Sequence, residues 1–318
     1  FKGSCLPKPA ADLQLTKPMA CNTNSPLPRE KKPDWIKVRL PSDPIFWSTK
    51  GLVDDLKLHT VCEEAQCPNR WECWSSGTAT FMIAGDRCTR ACGFCAVKTA
   101  KPFPLEADEP QRVAEATKRL GLKHVVITAV ARDDVADGGA EHFAQTVLAT
   151  KDANPGIVIE ILVPDFNGKN DALEACMASE PHIFNHNLET VERLTRLVRS
   201  RARYTRSLEV LKKAKEIAVS RGKNVAIKSG MMLGLGETED EVCQAMDDLR
   251  EHDVTVLTLG QYLRPSAKHL PVVEYIHPDQ FVRLKSIAEE KGFRHVASGP
   301  LVRSSYHAAD FKPELDVM

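Results

Sequence analysis

Six of the ten cysteines fall between Thr60 and Cys95, in two groups of three. The first, CEEAQCPNRWEC, sets Cys62, Cys67 and Cys73 on a four-then-five spacing; the second, CTRACGFC, sets Cys88, Cys92 and Cys95 on a three-then-two spacing. Zinc closes a tetrahedron with four donors, usually two short Cys or His pairs some way apart. Neither group has that form. A cubane 4Fe-4S cluster has four iron corners, so three thiolates leave one iron open, and an open iron is where chemistry can take place. A ferredoxin-type run adds a fourth cysteine that seals the cluster for electron transfer alone. CTRACGFC has no such member. The competing reading of the second group is a zinc or electron-transfer site, and that of the first is a purely structural cluster.

The elements that must carry these thiols are readable around them. Apolar runs TATFMIAG, HVVITAV, IVIEILVP, HIFNHN, NVAIKSGMML and VTVLTLGQ each precede a helical pattern. Such alternation predicts parallel βα units. Six units make a partial (β/α)6 TIM-like barrel of the α/β class, and GFRHVASG offers a final short strand. Pro110 and Gly121 bracket one helix, and Pro278 and Gly292 bracket a late one. CTRACGFC follows the first strand, RDD the second, PDF the third, HN the fourth, GLGET the fifth and QYLRPS the sixth. In βα barrels the site is built from loops at these carboxyl ends, so the polar motifs converge on one face.

The residues so far carry a resemblance. Cys88, Cys92 and Cys95, with Phe94 before the last thiol, resemble the signature of radical S-adenosylmethionine enzymes. CEEAQCPNRWECW, TATFMIAGDRCTRACGFCAV, RDDVADGGAEHFA, PDF, FNHNLETV, GLGET, TLGQYLRPS and GPLVRSSYHA are similar, in order, to the motifs of the lipoyl synthases, from about Pro33 to Ala308. The resemblance implies two 4Fe-4S clusters and S-adenosylmethionine as cofactors. One cluster, on Cys88, Cys92 and Cys95, would cleave S-adenosylmethionine to a 5′-deoxyadenosyl radical, with Phe94 beside the adenine. The other, on Cys62, Cys67 and Cys73, would be consumed as the source of two sulfur atoms inserted into protein-bound octanoyl-lysine. The carbons concerned are neither acidic nor electrophilic, which leaves acid-base and nucleophilic catalysis without purchase. RSSYHA matches the motif whose serine completes the second cluster, which maps that ligand onto Ser305 with Ser304 as runner-up. Implied partners are octanoylated lipoyl carrier domains, as in 2-oxoacid dehydrogenase acyltransferase subunits and the glycine cleavage H protein, and a ferredoxin- or flavodoxin-type electron donor. Ala131 departs from the family pattern, where an acidic residue is usual.

The chain as a whole narrows the remaining choices. Lys plus Arg and Asp plus Glu both number 43 in 318 residues, so no charge excess points to nucleic acid or a membrane surface. No run of apolar residues is long enough to span a bilayer. Iron-ligating thiolates require a reducing compartment, so a cytoplasmic location is expected, or an organelle matrix in a eukaryote. The expected organisation is an irregular extension over 1–32, a cluster-bearing segment over 33–77, the barrel over 78–299 and a ligand-supplying segment over 300–318. Cys5 and Cys21 lack partners at cluster spacing, and Cys176 and Cys243 read as core thiols on helices. Thr128, Asn187, Lys228, Glu237 and Gln261 are candidates to line the barrel mouth, and each reads equally well as a satisfied polar residue at a strand end. GLGET lacks the spacing of a phosphate loop. Arg193, Arg196, Arg199, Arg201, Arg203 and Arg206 form the densest basic run, expected to be a solvated helix face or else a rim that steers an acidic carrier domain.

Overall fold

The computed structural model describes residues 32–37, 44–75, 80–199, 201–306 and 308–313. The chain divides after Lys32, and the compact unit described is Pro33–Met318. Cys5, Cys21 and the extension over 1–32, save Lys32, lie outside the described residues.

Ten strands are present among the described residues: β1 His59–Thr60, β2 Thr80–Ile83, β3 Arg87–Cys88, β4 Lys98–Thr99, β5 His124–Ala129, β6 Val158–Leu162, β7 Ile183–Asn185, β8 Ala226–Leu233, β9 Val256–Gln261 and β10 His295–Gly299. The helices are α1 Pro44–Asp55, α2 Val61–Glu64, α3 Arg70–Ser75, α4 Glu109–Arg119, α5 Ala140–Ala153, α6 Asn170–Ala178, α7 Glu192–Val198, α8 Tyr204–Ser220, α9 Glu239–Glu251 and α10 Pro278–Glu290. One sheet runs β1-β2-β5-β6-β7-β8-β9-β10, parallel throughout except for the antiparallel β1, and β3 pairs with β4 in a separate ribbon. Each crossover therefore reaches the neighbouring strand, as a singly wound βα array requires. The sheet stays open among the described residues, with β1 and β10 as its edges.

Both faces of the parallel strands are covered, which explains their near-continuous Val, Ile and Leu content. Ile127, Ile159, Ile161, Phe184, Leu257 and Leu259 are fully buried. The register aligns Met82, Thr128, Leu162, Asn185, Lys228, Val256 and His295 across the sheet, so the polar positions near the strand ends share a layer. Helix ends follow local chemistry. Thr238 and Glu241 form a reciprocal capping box at the start of α9, and α4 ends in Lys118 and Arg119 ahead of Gly121 at φ +62°. α1 braces α3, which carries Cys73, through Phe46, whose ring lies 4.2 Å from that of Trp71 and 5.2 Å from that of Trp74. No described helix is long and apolar enough to cross a membrane.

Candidate active site

The first cysteine group sits on two short helices and the turn between them, Cys62 on α2, Cys67 in the turn and Cys73 on α3. Thr60 caps α2, its hydroxyl accepting from the Glu63 amide at 3.3 Å, and Gln66 at φ +50° turns the chain. The Cys67 amide then donates to the Cys62 carbonyl at 3.1 Å and the Cys73 amide to the Asn69 carbonyl at 3.0 Å. The three thiols feel each other. Burial, then the neighbouring Cys67, pushes Cys62 up to about 11, and burial with Cys62, Cys67 and Glu72 pushes Cys73 up to about 12. Burial also raises Cys67, against the pull of Arg303 and Arg70.

The second group lies on the β3–β4 ribbon and the loop between its strands. Cys88 pairs with Thr99 across the ribbon. The Gly93 amide donates to the Val198 carbonyl and the Gly93 carbonyl accepts from the Leu270 amide, both at 2.9 Å. A Cβ at Gly93 would stand 2.9 Å from the Leu270 side chain, which any larger residue would have to push aside. Phe94 is half-buried and packs against the core. His269 Nε2 meets the Cys95 carbonyl at 2.9 Å. Burial pushes Cys95 up to about 12, with Cys92 and Cys88 adding to it, and burial raises Cys92 while Arg199 opposes.

Sequence reasoning missed what anchors this loop from below. Arg90, between Cys88 and Cys92, is 7% exposed and grips Asp133 through two bonds of 2.9 and 2.8 Å and Asp165 at 2.7 Å. These carboxylates are the first Asp of RDD and the Asp of PDF. An arginine between two ligand-type cysteines and two isolated Asp motifs were the available signal, but nothing in their spacing linked them.

The C-terminal segment ties the first group to the barrel. Asn69 Nδ2 donates to the Leu301 carbonyl at 2.6 Å, Arg303 Nη1 to the Gln261 carbonyl at 3.1 Å, and Asn187 Nδ2 to Ser304 Oγ at 2.6 Å. Tyr306 OH donates to the Glu72 carboxylate at 3.2 Å. Ser304 is thus held by the barrel. Ser305, half-buried between Ser304 and Tyr306, has no side-chain hydrogen bond among the described residues.

The other candidates separate by their partners. Thr128 Oγ1 donates to the Leu162 carbonyl at 2.9 Å, and Lys228 is paired with buried Glu160 at 2.8 Å. Glu237 accepts from the amides of its own loop, Gly234 and Leu235. Gln261 is fully buried and bonds the carbonyls of Leu233, Tyr262 and Glu274 and the amide of Ile276. Asn187 differs, because its Oδ1 is buried and unpaired while Nδ2 also reaches Glu189 at 3.1 Å. Glu189, unforeseen from sequence, is raised by burial against Arg199 and lies within electrostatic range of Cys92 and Cys95.

The arginine run is not one solvated face. It spans α7, the link that follows and the start of α8, so its members turn different ways. Arg199 is buried and donates to the carbonyls of Asn187 and Leu188, Arg206 pairs with Asp165 at 3.2 Å, and Arg201 approaches Asp133 at 3.6 Å. Arg193, Arg196 and Arg203 remain exposed. Cys176 is a core thiol as expected, whereas Cys243 is only half-buried.

Among the described residues, no three His, Cys, Asp or Glu side chains gather around a single-ion position. Thiolates on a cubane bind separate irons, so a cluster does not ask for that convergence. Each group offers three soft donors close enough to repel one another when charged, with no fourth cysteine beside them among the described residues. That donor set fits a three-thiolate cluster.

The Radical SAM superfamily model matches residues 82–249. The lipoyl synthase of Oceanobacillus iheyensis is 58% identical over 279 residues, 87% of this chain and 88% of that protein. That of Geobacillus thermodenitrificans is 55% identical, covering 87% of this chain and 92% of its own. Among solved structures, the FeFe-hydrogenase maturase HydG from Carboxydothermus hydrogenoformans superposes with a TM-score of 0.53 at 12% identity, covering 84% of this chain and 69% of that one. The Streptococcus suis SuiB bound to precursor peptide SuiA gives 0.52 at 15% identity, covering 69% of this chain and 48% of that one. These two likenesses concern the fold, while sequence identity above one half over nearly nine-tenths of the length carries the family: the chain belongs to the lipoyl synthases of the radical SAM superfamily.

Proposed function

We propose that Cys88, Cys92 and Cys95 hold the cluster at which S-adenosylmethionine is cleaved, and that Cys62, Cys67, Cys73 and Ser305 hold the second cluster. The reaction is that of the family, insertion of two sulfur atoms into protein-bound octanoyl-lysine to give lipoyl-lysine. When bound, the first cluster supplies an electron to S-adenosylmethionine and the second supplies the sulfur. The protein's own residues position these groups and exclude water. Phe94, packed on the core beside Cys95, presents an apolar surface for the adenine. Asn187 ties the C-terminal segment to the barrel mouth through Ser304, which favours the neighbouring Ser305 as the ligand. Its hydroxyl must give up a proton to bind iron, and its hard oxygen makes it the weakest of the four donors.

The substrates are lipoyl carrier proteins. Acyltransferase subunits of 2-oxoacid dehydrogenases and the glycine cleavage H protein are the carriers we propose, with a ferredoxin- or flavodoxin-type reductant and a cytoplasmic setting. The observation that carries the division of labour is the C-terminal segment, which hydrogen-bonds Asn69 and Glu72 beside the thiols of the first cysteine group. The test is to reconstitute the chain anaerobically and supply an octanoyl-lysine peptide, S-adenosylmethionine and reductant. Replacing Cys88, Cys92 and Cys95 by Ala should halve an iron content of about eight and abolish 5′-deoxyadenosine, whereas replacing Cys62, Cys67 and Cys73 should halve the iron and leave some cleavage. Loss of all cleavage in both variants with intact folds contradicts the assignment.

A further inference from the structure

The two aspartate motifs, RDD and PDF, have no part in the function so far, and Arg90 gathers both. We propose that Arg90, with Asp133 and Asp165, is the positioning group of the Cys88–Cys95 loop, fixing where its thiols stand relative to the barrel; this rests on those thiols being cluster ligands. The ribbon strands that flank the loop are two residues each, so regular structure supplies little rigidity. Arg90 supplies it through all three guanidinium nitrogens. Nε and Nη2 form the planar fork on Asp133, Nη1 reaches Asp165, and Nη2 also donates to Asn167 Oδ1 at 3.0 Å. Each acceptor is itself held. The Asp133 amide donates to Thr89 Oγ1 at 3.1 Å, Asn167 Nδ2 donates to Asp133 at 2.9 Å, and Arg206 pairs with the second oxygen of Asp165. Asp165 is fully buried.

A fold staple would serve from any position on the loop. This one lies between two ligands, and its own amide faces Cys88 Sγ at 3.4 Å while its carbonyl accepts from Thr99 Oγ1 at 3.1 Å. Movement of the Arg90 backbone therefore moves Cys88 directly. The fork matters more than the charge, because a bidentate guanidinium fixes an orientation that a lysine ammonium does not.

The test uses the full chain with Cys62, Cys67 and Cys73 replaced by Ala, anaerobically reconstituted, so that all iron belongs to the second group. Iron release to a chelator should be faster by roughly tenfold or more in Arg90→Gln, as for loss of other outer-shell partners, and intermediate in Arg90→Lys. Asp133→Asn, which keeps the side chain's shape, should also release iron faster, and decides the matter where Arg90→Gln does not fold. The same changes in a chain lacking Cys88, Cys92 and Cys95 should leave release from the first group unaltered. Unchanged release in both Arg90→Lys and Asp133→Asn overturns the proposal, as does equal acceleration in both backgrounds, which would make Arg90 a general staple. Should the first background bind no iron, the ligand assignment fails and takes the proposal with it.

Discussion

Gly260 in β9 is a point where the C-terminal segment lies close against the barrel. A Cβ there would stand 3.0 Å from the Val302 carbonyl carbon, closer still to its oxygen, and 3.3 Å from Arg303 Nη1, where ordinary contact begins at 3.4 Å. β9 is paired on both sides, by β8 and β10, and every residue of it is buried. The strand cannot yield, so in Gly260→Ala the segment must lift. Three bonds would be strained together: Arg303 to Gln261, Asn187 to Ser304 and Asn69 to Leu301. At about 1 kcal/mol each, docking of the segment should weaken by about 1–3 kcal/mol. With Ser305 as the proposed ligand, displacing it on the order of 1 Å can cost about a hundredfold in rate. The expected outcome is near-normal 5′-deoxyadenosine from the first hydrogen abstraction, lipoyl formation slowed about a hundredfold, and faster iron loss from the first group alone. Single-turnover mass spectrometry of the peptide, run beside cluster spectra, measures all three. Normal lipoyl formation with unchanged spectra would refute the reasoning, because it would mean that the segment's seat on β9 does not position the ligand.

Ser305→Cys should keep the second cluster and the first abstraction but slow sulfur transfer, since a thiolate is a softer and tighter ligand for iron than an alkoxide; Ser304→Ala should be mild, and the mono-thiolated peptide in single turnover reports both. Burial by itself would raise the Asp165 carboxyl, but Arg90 and more weakly His186 outweigh it and hold it down at about 2. A carboxyl lowered on folding adds stability above its unfolded value and loses it as pH falls through the folded one, so about 2 kcal/mol should fade between about pH 4 and pH 2. Denaturant melts of the apoprotein should show this loss, and Asp165→Asn should lack it. Arg199→Glu should cost about 3–5 kcal/mol, because it breaks buried bonds and sets a carboxylate near Glu189. Exposed Arg203→Glu should change stability by no more than about 0.5 kcal/mol. If the remaining exposed arginines steer an acidic carrier, Arg203→Glu should raise KM for a whole octanoylated domain at low salt only, and leave a short peptide unaffected.

The cysteine groups, the strand-helix alternation and the order of the motifs were all legible in the chain itself. Cysteines at cluster spacing repeat over a few residues, buried parallel strands write themselves as β-branched runs such as HVVITAV and IVIEILVP, and Pro and Gly mark helix ends through local backbone geometry. The barrel's carboxyl face followed from order alone, because each polar motif trails a strand. What the sequence left open were choices between equivalent neighbours and between distant partners. Ser304 and Ser305 are adjacent hydroxyls, and the bond that Ser304 accepts from Asn187, 117 residues away, has no trace in their spacing. For Thr128, Glu237 and Gln261 the main-chain partners of their side chains appear only in the fold. Arg199 read as one of six surface cations until α7 ended and turned it inward. Arg90 found its two carboxylates 43 and 75 positions downstream. Periodicity and spacing report which face a residue occupies within its own element, whereas a buried ion pair is decided by which loops the sheet order brings side by side, and that order exists only in the folded barrel.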